Sequence, residues 1–242
     1  MCPVIFAHRG ASGLFPENTM EAFRAAFRQR ADGIELDVQL SLDEEVVVIH
    51  DGRLERTTNG EGLVRAHTLY ELQQLNAGEW LHPKFRHVRI PSLQEVFEFV
   101  QPTHLMVILE LKNFLTPQPN LEEKVLSLIE QFQLEKRVII SSFNFNSLLH
   151  IKQLNPAIKT GLLYIGSLRH PWQIAQEFHA EQIHAPQVEI TPKLLKEAHR
   201  INQEVYAWTV NGPHRMKLMF SLGVDGIITN YPSRARRLLK KK

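Results

Sequence analysis

Two apolar segments of this 242-residue chain carry charge at every second position. One reads Ile34-Glu35-Leu36-Asp37-Val38, the other Ile108-Leu109-Glu110-Leu111-Lys112. On a strand, side chains two apart point the same way, with about 7 Å between their Cα atoms. Glu35 and Asp37 therefore share one face, and so do Glu110 and Lys112. Brought together inside a barrel, three carboxylates and an ammonium would converge. Such a cluster is stable only around a cation or a polar ligand, because unpaired buried charge is costly. On a half-wet sheet the same charges would simply face solvent.

Two imidazoles end apolar runs. His8 follows Val4-Ile5-Phe6-Ala7 and precedes Arg9, and His50 follows Val46-Val47-Val48-Ile49 and precedes Asp51. Two histidines at one site fit acid/base hydrolysis, one accepting a proton and the other protonating a leaving group. The chain has 12 histidines, and others, such as His87, His104 and His179, read as surface or packing residues. Arg9 offers a planar fork of donors that matches phosphate oxygens. Glu35, Asp37 and Glu110 supply hard oxygen ligands without cysteine. That set suits Mg²⁺ or Ca²⁺ better than zinc, although an added histidine would leave zinc or manganese open. Lys112 either neutralises a substrate phosphate or pairs with its neighbouring acid. Arg9, Lys112 and one divalent cation would together form a phosphate clamp with an electrophile. The residues alone thus point to phosphoryl-ester hydrolysis.

The elements that must position these groups alternate along the whole chain. Eight strands are predicted, at Val4–Ala7, Gly33–Val38, Met106–Leu111, Val138–Ser141, Lys159–Leu163, Gln182–Ala185, Glu204–Trp208 and Gly226–Thr229. Between them lie amphipathic segments such as Glu17–Arg30, Leu121–Phe132, Phe145–Leu154, Pro192–Arg200 and Pro213–Leu222, with apolar residues three and four apart. Pro192 and Pro213 suit a first helical turn. An eightfold strand-helix alternation implies an α/β fold closed as a (β/α)₈ TIM barrel. An open doubly wound sheet is the alternative, but the glycine-rich dinucleotide turn is missing. Either architecture covers both sides of the sheet, so the charged positions should point inward, toward the C-terminal mouth. A small insertion, about residues 51–90, follows the second barrel strand and a short extra strand at Val46–Ile49. Irregular excursions of that length are usually functional. One domain over residues 1–242 is the economical reading.

Composition narrows the function classes. A hydrophobic content of 43% fits a soluble globular chain, and a net charge of +2 is too small to argue for nucleic acid. The basic run from Ser233 to Lys242 reads as a helix end that complements its dipole, rather than a nucleic-acid or membrane tail. Cys2 is the single cysteine, so no intrachain disulfide forms. With neither a signal peptide nor a spanning run expected, a cytoplasmic protein without stable membrane association is predicted.

The ordered motifs carry a resemblance. They are His8-Arg9-Gly10, Pro16-Glu17-Asn18-Thr19, Glu35-Leu36-Asp37-Val38, His50-Asp51, Arg56-Thr57-Thr58, Glu110-Leu111-Lys112, Trp208-Thr209-Val210-Asn211 and Gly223-Val224-Asp225-Gly226-Ile227-Ile228-Thr229. From residue 4 to Pro232 the chain resembles the glycerophosphodiester phosphodiesterase family, whose small insertion matches the excursion after Asp51. The resemblance implies a metal-dependent hydrolase that splits a small-molecule glycerophosphodiester into sn-glycerol 3-phosphate and an alcohol. Position by position, it implies His8 and His50 as the acid/base pair and Glu35, Asp37 and Glu110 as ligands of one divalent cation. Arg9 and Lys112 match the phosphate-contacting cations. Trp208 matches an aromatic wall beside the glycerol or the leaving group, where a core role is the alternative. A family mechanism has the glycerol 2-hydroxyl attack phosphorus to give a cyclic phosphate; direct attack by water is equally compatible with the sequence. Two positions depart from the family pattern: Asn230 stands where an acid is usual, and Glu44 where a glycine commonly follows the first acid. Neither is expected to touch the site.

The leading substrates are water-soluble headgroup diesters such as glycerophosphocholine and glycerophosphoethanolamine. Lysophospholipase D-type activity would need an apolar groove at the mouth. The excursion's Leu63, Leu69, Leu72, Leu75, Trp80 and Phe85 are expected instead to form its own small core. A non-catalytic phosphate-binding barrel would have lost a ligand or an imidazole, and all are present.

Overall fold

Runs of Val, Ile and Leu take the strand positions and amphipathic segments the helical ones. The computed structural model describes residues 2–239. Its strands are β1 Val4–His8, β2 Gly33–Leu40, β3 Val46–Val48, β4 Met106–Leu111, β5 Val138–Ser142, β6 Lys159–Leu163, β7 Gln182–Pro186, β8 Glu204–Trp208 and β9 Gly226–Thr229. All but β3 are joined in parallel, and β1 pairs with both β9 and β2, so eight strands close into a TIM barrel. The expected fold class is the observed one, and each of the eight predicted barrel strands is present. Helices α1 Met20–Arg28, α4 Leu121–Gln131, α5 Phe145–Leu154, α7 Pro192–Arg200 and α8 Pro213–Leu222 follow the expected segments.

The expected helix from Glu17 starts later, because Asn18 is left-handed (φ 56°) and Thr19 is extended and caps the Ala22 N–H. Four further helices were not singled out from the sequence: α2 Leu69–Gln74, α3 Leu93–Val100, α6 Pro171–Glu177 and α9 Pro232–Leu239. The Thr68/Glu71 and Ser92/Glu95 capping boxes start α2 and α3. The basic C-terminal run does form a helix, in which Arg236 pairs with Asp32 at 2.6 Å; residues 240–242 of that run lie outside the described residues.

The long strand β2 divides one of its edges between two partners. Residues Gly33–Glu35 pair with β1, while Val38–Leu40 pair antiparallel with β3; the opposite edge belongs to β4. The chain must therefore leave that edge immediately after His8. Arg9 (φ 53°) and Gly10 (φ 78°) turn it away. A Cβ on Gly10 would stand 2.6 Å from the Ala22 Cβ, so conformation and space both require glycine.

Phe6, Ile108, Ile139, Tyr206 and Ile228 fill the barrel interior. Larger apolar clusters lie between strands and helices, for instance Phe23, Leu36, Phe97 and Leu109 on one side and Leu162, Ile183, Leu194 and Val205 on the other. The excursion over residues 51–90 has a small core of its own, built on Leu54, Val64, Leu72, Ala77 and Ile90 with Leu69 and Leu75 against it. Of the six apolar residues expected there, Leu63 and Trp80 are instead exposed, and Phe85 is buried outside it, its ring 5.8 Å from that of Phe15.

Glu44 occupies the turn between β2 and β3 at φ 59°, which explains why glycine suits this position. A β-branched residue tolerates that conformation least. Replacement Glu44→Val should cost about 1–2 kcal/mol, whereas Glu44→Gly should leave the thermal midpoint unchanged or higher; a melting series with both variants checks this.

Candidate active site

Strand register brings the charged side chains together. His8 is the parallel partner of Glu35, and Asp37 that of Glu110. Strand β3 then returns antiparallel along the upper part of β2, and the Ile49 N–H donates to the Asp37 carbonyl at 3.1 Å. His50 therefore emerges beside the carboxylates although it lies outside the barrel strands. Oxygens of Glu35, Asp37 and Glu110 lie within 4.8 Å of one another, and all three residues are buried.

Two cations face these three acids. Lys112 Nζ donates to Glu110 at 2.6 Å and lies 3.5 Å from Asp37 Oδ1. Arg9 Nε lies 3.2 Å from Asp37 Oδ2, and the Arg9 backbone N–H donates to Glu35 at 2.9 Å. One negative charge remains uncompensated. Burial and the neighbouring Asp37 push the Glu110 carboxyl up to about 7, and burial with repulsion from Asp37 and Glu110 raises Glu35 well above the usual carboxylate range. Burial works on Asp37 in the same direction, but Arg9 and Lys112 outweigh it and hold Asp37 well below its ordinary value. Asp37 Oδ1 also lacks a hydrogen-bond donor among the described residues. An all-oxygen acidic set with surplus charge and an orphaned buried oxygen fits a hard divalent cation, whose bonds to oxygen are about 2.0–2.6 Å long.

The imidazoles are held differently. His8 Nδ1 lies 2.7 Å from Asn230 Oδ1; an amide oxygen only accepts, so Nδ1 carries the proton and Nε2 the lone pair. His50 Nδ1 lies 2.5 Å from Asp51 Oδ1, and Arg56 anchors the other Asp51 oxygen at 2.5 Å. Arg56 reaches on to Glu17 at 2.7 Å, and Arg9 meets the same Glu17 oxygen at 2.8 Å, so the excursion is tied to the loop after β1. Burial and the Arg9 charge lower His8 to about 4; burial also lowers His50. Hydrogen bonding from Arg56 holds Asp51 down at about 2. Burial thus holds both imidazoles toward the neutral form.

Contrary to the expectation that Asn230 stands clear of the site, it is the partner of His8. The reason is topological: β9 pairs with β1, and Asn230 immediately follows it on the same rim. Asn18 also has a defined task, since its amide donates to Asp37 Oδ2 at 2.7 Å.

A cavity of about 280 Å³ opens over this cluster. His8, Arg9, Glu35, His50 and Glu110 line one side, and Phe143, Leu163, Ile165 and Trp208 the other. Asp37 and Lys112 are not on its wall; they reach it through Arg9 and Glu110. Trp208 is half-buried, donates its indole N–H to the His184 carbonyl at 3.0 Å and meets the Phe143 ring edge-on at 6.1 Å. Sequence reading missed His184 itself, which lines the cavity and is 1% exposed. The signal was available: Gln182 and His184 alternate with Ile183 and Ala185 as Glu35 and Asp37 alternate with their neighbours.

Closed barrel, acidic trio and two imidazoles at the C-terminal rim are the features that hydrolysis of an anionic ester calls for. Comparison with known proteins makes the class specific. The model of the glycerophosphoryl diester phosphodiesterase family matches residues 8–234. A glycerophosphodiester phosphodiesterase of Caldanaerobacter subterraneus subsp. tengcongensis is 43% identical over 100% of this chain and 99% of its own. One from Bacillus altitudinis is 42% identical over 97% of each. Among solved structures, an Oleispira antarctica phosphodiesterase in complex with the product sn-glycerol-3-phosphate superposes with a TM-score of 0.88, at 30% identity over 99% of this chain and 97% of that one. The chain belongs to the glycerophosphodiester phosphodiesterase family and is a phosphoric diester hydrolase.

Glu35 and Glu110 bind protons in the folded protein at pH values where the unfolded chain has released them. Their contribution to metal-free stability is therefore largest below pH 4.5 and falls as pH rises toward 7. A divalent cation should raise the melting temperature more at pH 8 than at pH 5; equal shifts would argue against the carboxylate site. Exchanging Asn230→Asp puts a carboxylate beside His8 and should raise its pKa by about one unit or more, moving the acid limb of kcat/KM upward in a pH-rate profile.

Proposed function

We propose that the protein hydrolyses small glycerophosphodiesters, such as glycerophosphocholine and glycerophosphoethanolamine, to sn-glycerol 3-phosphate and an alcohol. The observation that carries this reading is the meeting of the acidic trio with two neutral, separately oriented imidazoles on one cavity. Glu35, Asp37 and Glu110 would hold one Mg²⁺ or Ca²⁺, which supplies an electrophile for a phosphoryl oxygen. Arg9 contacts the phosphate from the cavity wall, and Lys112 neutralises the cluster from behind it. His8 and His50 move the protons. Burial holds both toward the neutral form, so one imidazole accepts the proton of the attacking hydroxyl or water, and the imidazolium so formed returns that proton to the oxygen that departs with the alcohol. Trp208 and Phe143 flank the substituent on the far side of phosphorus. We further read residues 1–242 as one cytoplasmic domain; among the described residues no helix is long and apolar enough to cross a membrane.

A second reading has an observation of its own. Phe114 and Leu115 are 61% and 90% exposed beside the mouth, and Phe114 meets Phe143 at 6.2 Å, extending the aromatic wall outward. That surface would accommodate a substrate keeping one acyl chain.

Protein stripped of ions should lack activity and regain it with Mg²⁺ or Ca²⁺; turnover that survives exhaustive chelation would contradict the metal assignment. Glu35→Gln should abolish the metal-dependent rate while melting cooperatively. His8→Ala and His50→Ala should each lower kcat by about 10²–10⁴, and a variant with little change would return that residue to a structural role. Parallel assays on glycerophosphocholine and lysophosphatidylcholine separate the two readings.

A further inference from the structure

Beneath the active-site cavity lies a polar chain that the proposed chemistry leaves unused. Glu204 Oε2 accepts from the Gln182 amide nitrogen at 2.6 Å and from the Tyr206 hydroxyl at 3.2 Å. A carboxylate only accepts, so the Gln182 oxygen is the end turned to His184, whose Nε2 lies 2.9 Å away. Nε2 must therefore donate. The remaining ring nitrogen, Nδ1, carries a lone pair, is buried and has no partner among the described residues.

The ring cannot easily turn away. It stacks on Tyr206 at 5.5 Å and 2° from parallel. On the neighbouring strand, Gly161 leaves the room it occupies, since a Cβ there would fall 2.6 Å from Nε2. Burial pushes the imidazole down to about 3, so it stays neutral and Nδ1 stays an acceptor. The side chain lines the cavity together with Ile108 and Ile228, across from Arg9 and His50.

We propose that His184 Nδ1 accepts the terminal hydroxyl of the substrate's glycerol and so selects glycerol over deoxygenated alcohols. This rests on the glycerophosphodiester reading above. The assignment to glycerol follows from depth. The alcohol that varies in size needs the open mouth, beside Phe143 and Ile165, whereas a small hydroxylated group can reach the buried floor. A hydroxyl entering that floor loses its water, and Nδ1 replaces the lost acceptor. An analogue without the hydroxyl leaves Nδ1 buried and unpaired, the arrangement by which sites reject a missing polar group most strongly.

Two chromogenic diesters test the idea: the 4-nitrophenyl phosphodiester of glycerol, esterified at a terminal oxygen, and 2-hydroxypropyl 4-nitrophenyl phosphate. They differ only in the terminal hydroxyl, and both keep the 2-hydroxyl. The wild-type holoenzyme should favour the glycerol ester in kcat/KM by about 10- to 100-fold. His184→Phe keeps the stack on Tyr206 and should bring that ratio near one, chiefly by losing rate on the glycerol ester. His184→Asn, whose side-chain oxygen can stand where Nδ1 was, should restore part of the preference. Equal wild-type rates on the two esters would overturn the role of His184 while leaving the glycerophosphodiester reading intact. So would a preference that persists in His184→Phe, or variants that lose both activities in parallel. Absence of turnover on either ester in the wild type would overturn both.

Discussion

Confinement of like charge governs this molecule. Three carboxylates share a buried space within 4.8 Å, opposed by one guanidinium and one ammonium. At such distances repulsion is strong in any medium less polar than water, so the cluster persists only because neighbouring groups are committed to it. Asn18 takes an oxygen of Asp37, the Arg9 backbone takes one of Glu35, and Lys112 leans on Glu110. Burial of this kind is rarely kept for stability, since an apolar replacement is often neutral or better. Its persistence on a barrel rim marks a place prepared for a positive charge that the chain itself does not carry.

That preparation is a property of backbone pairing more than of loops. The two partners of one β2 edge deliver the two imidazoles. Strand β1 ends in His8 against the lower part of β2, and β3 returns past its upper part to deliver His50. The ladder fixes the spacing of the pair, and the Arg56–Asp51–His50 contacts add orientation at the looser end. A long excursion can follow Asp51 because the ladder before it has already placed the imidazole.

Much of this was legible in the residues. Period-two alternation in β2 and β4 announced which side chains face inward, and the strand-helix rhythm announced closure. Legibility failed where a contact joined positions distant in sequence. Asn230 meets His8 across 222 residues, and only the β1–β9 pairing makes them neighbours. His184 was overlooked because histidine in an apolar strand resembles core packing unless its register is known. The later start of α1 turned on a left-handed Asn18, and Leu63 and Trp80 were expected inside a cluster too small to enclose them.

The cavity divides its duties between opposite arcs of the barrel. The charged and imidazole side chains lie on or just beyond β1 to β4, while Phe143, Leu163, Ile165, His184 and Trp208 face them from on or just beyond β5 to β8. On the reading proposed above, substitutions around Phe143, Leu163 or Ile165 would alter which alcohol is admitted without disturbing the charge balance on the far wall. A barrel so divided would drift in preference while its charged half stayed constant.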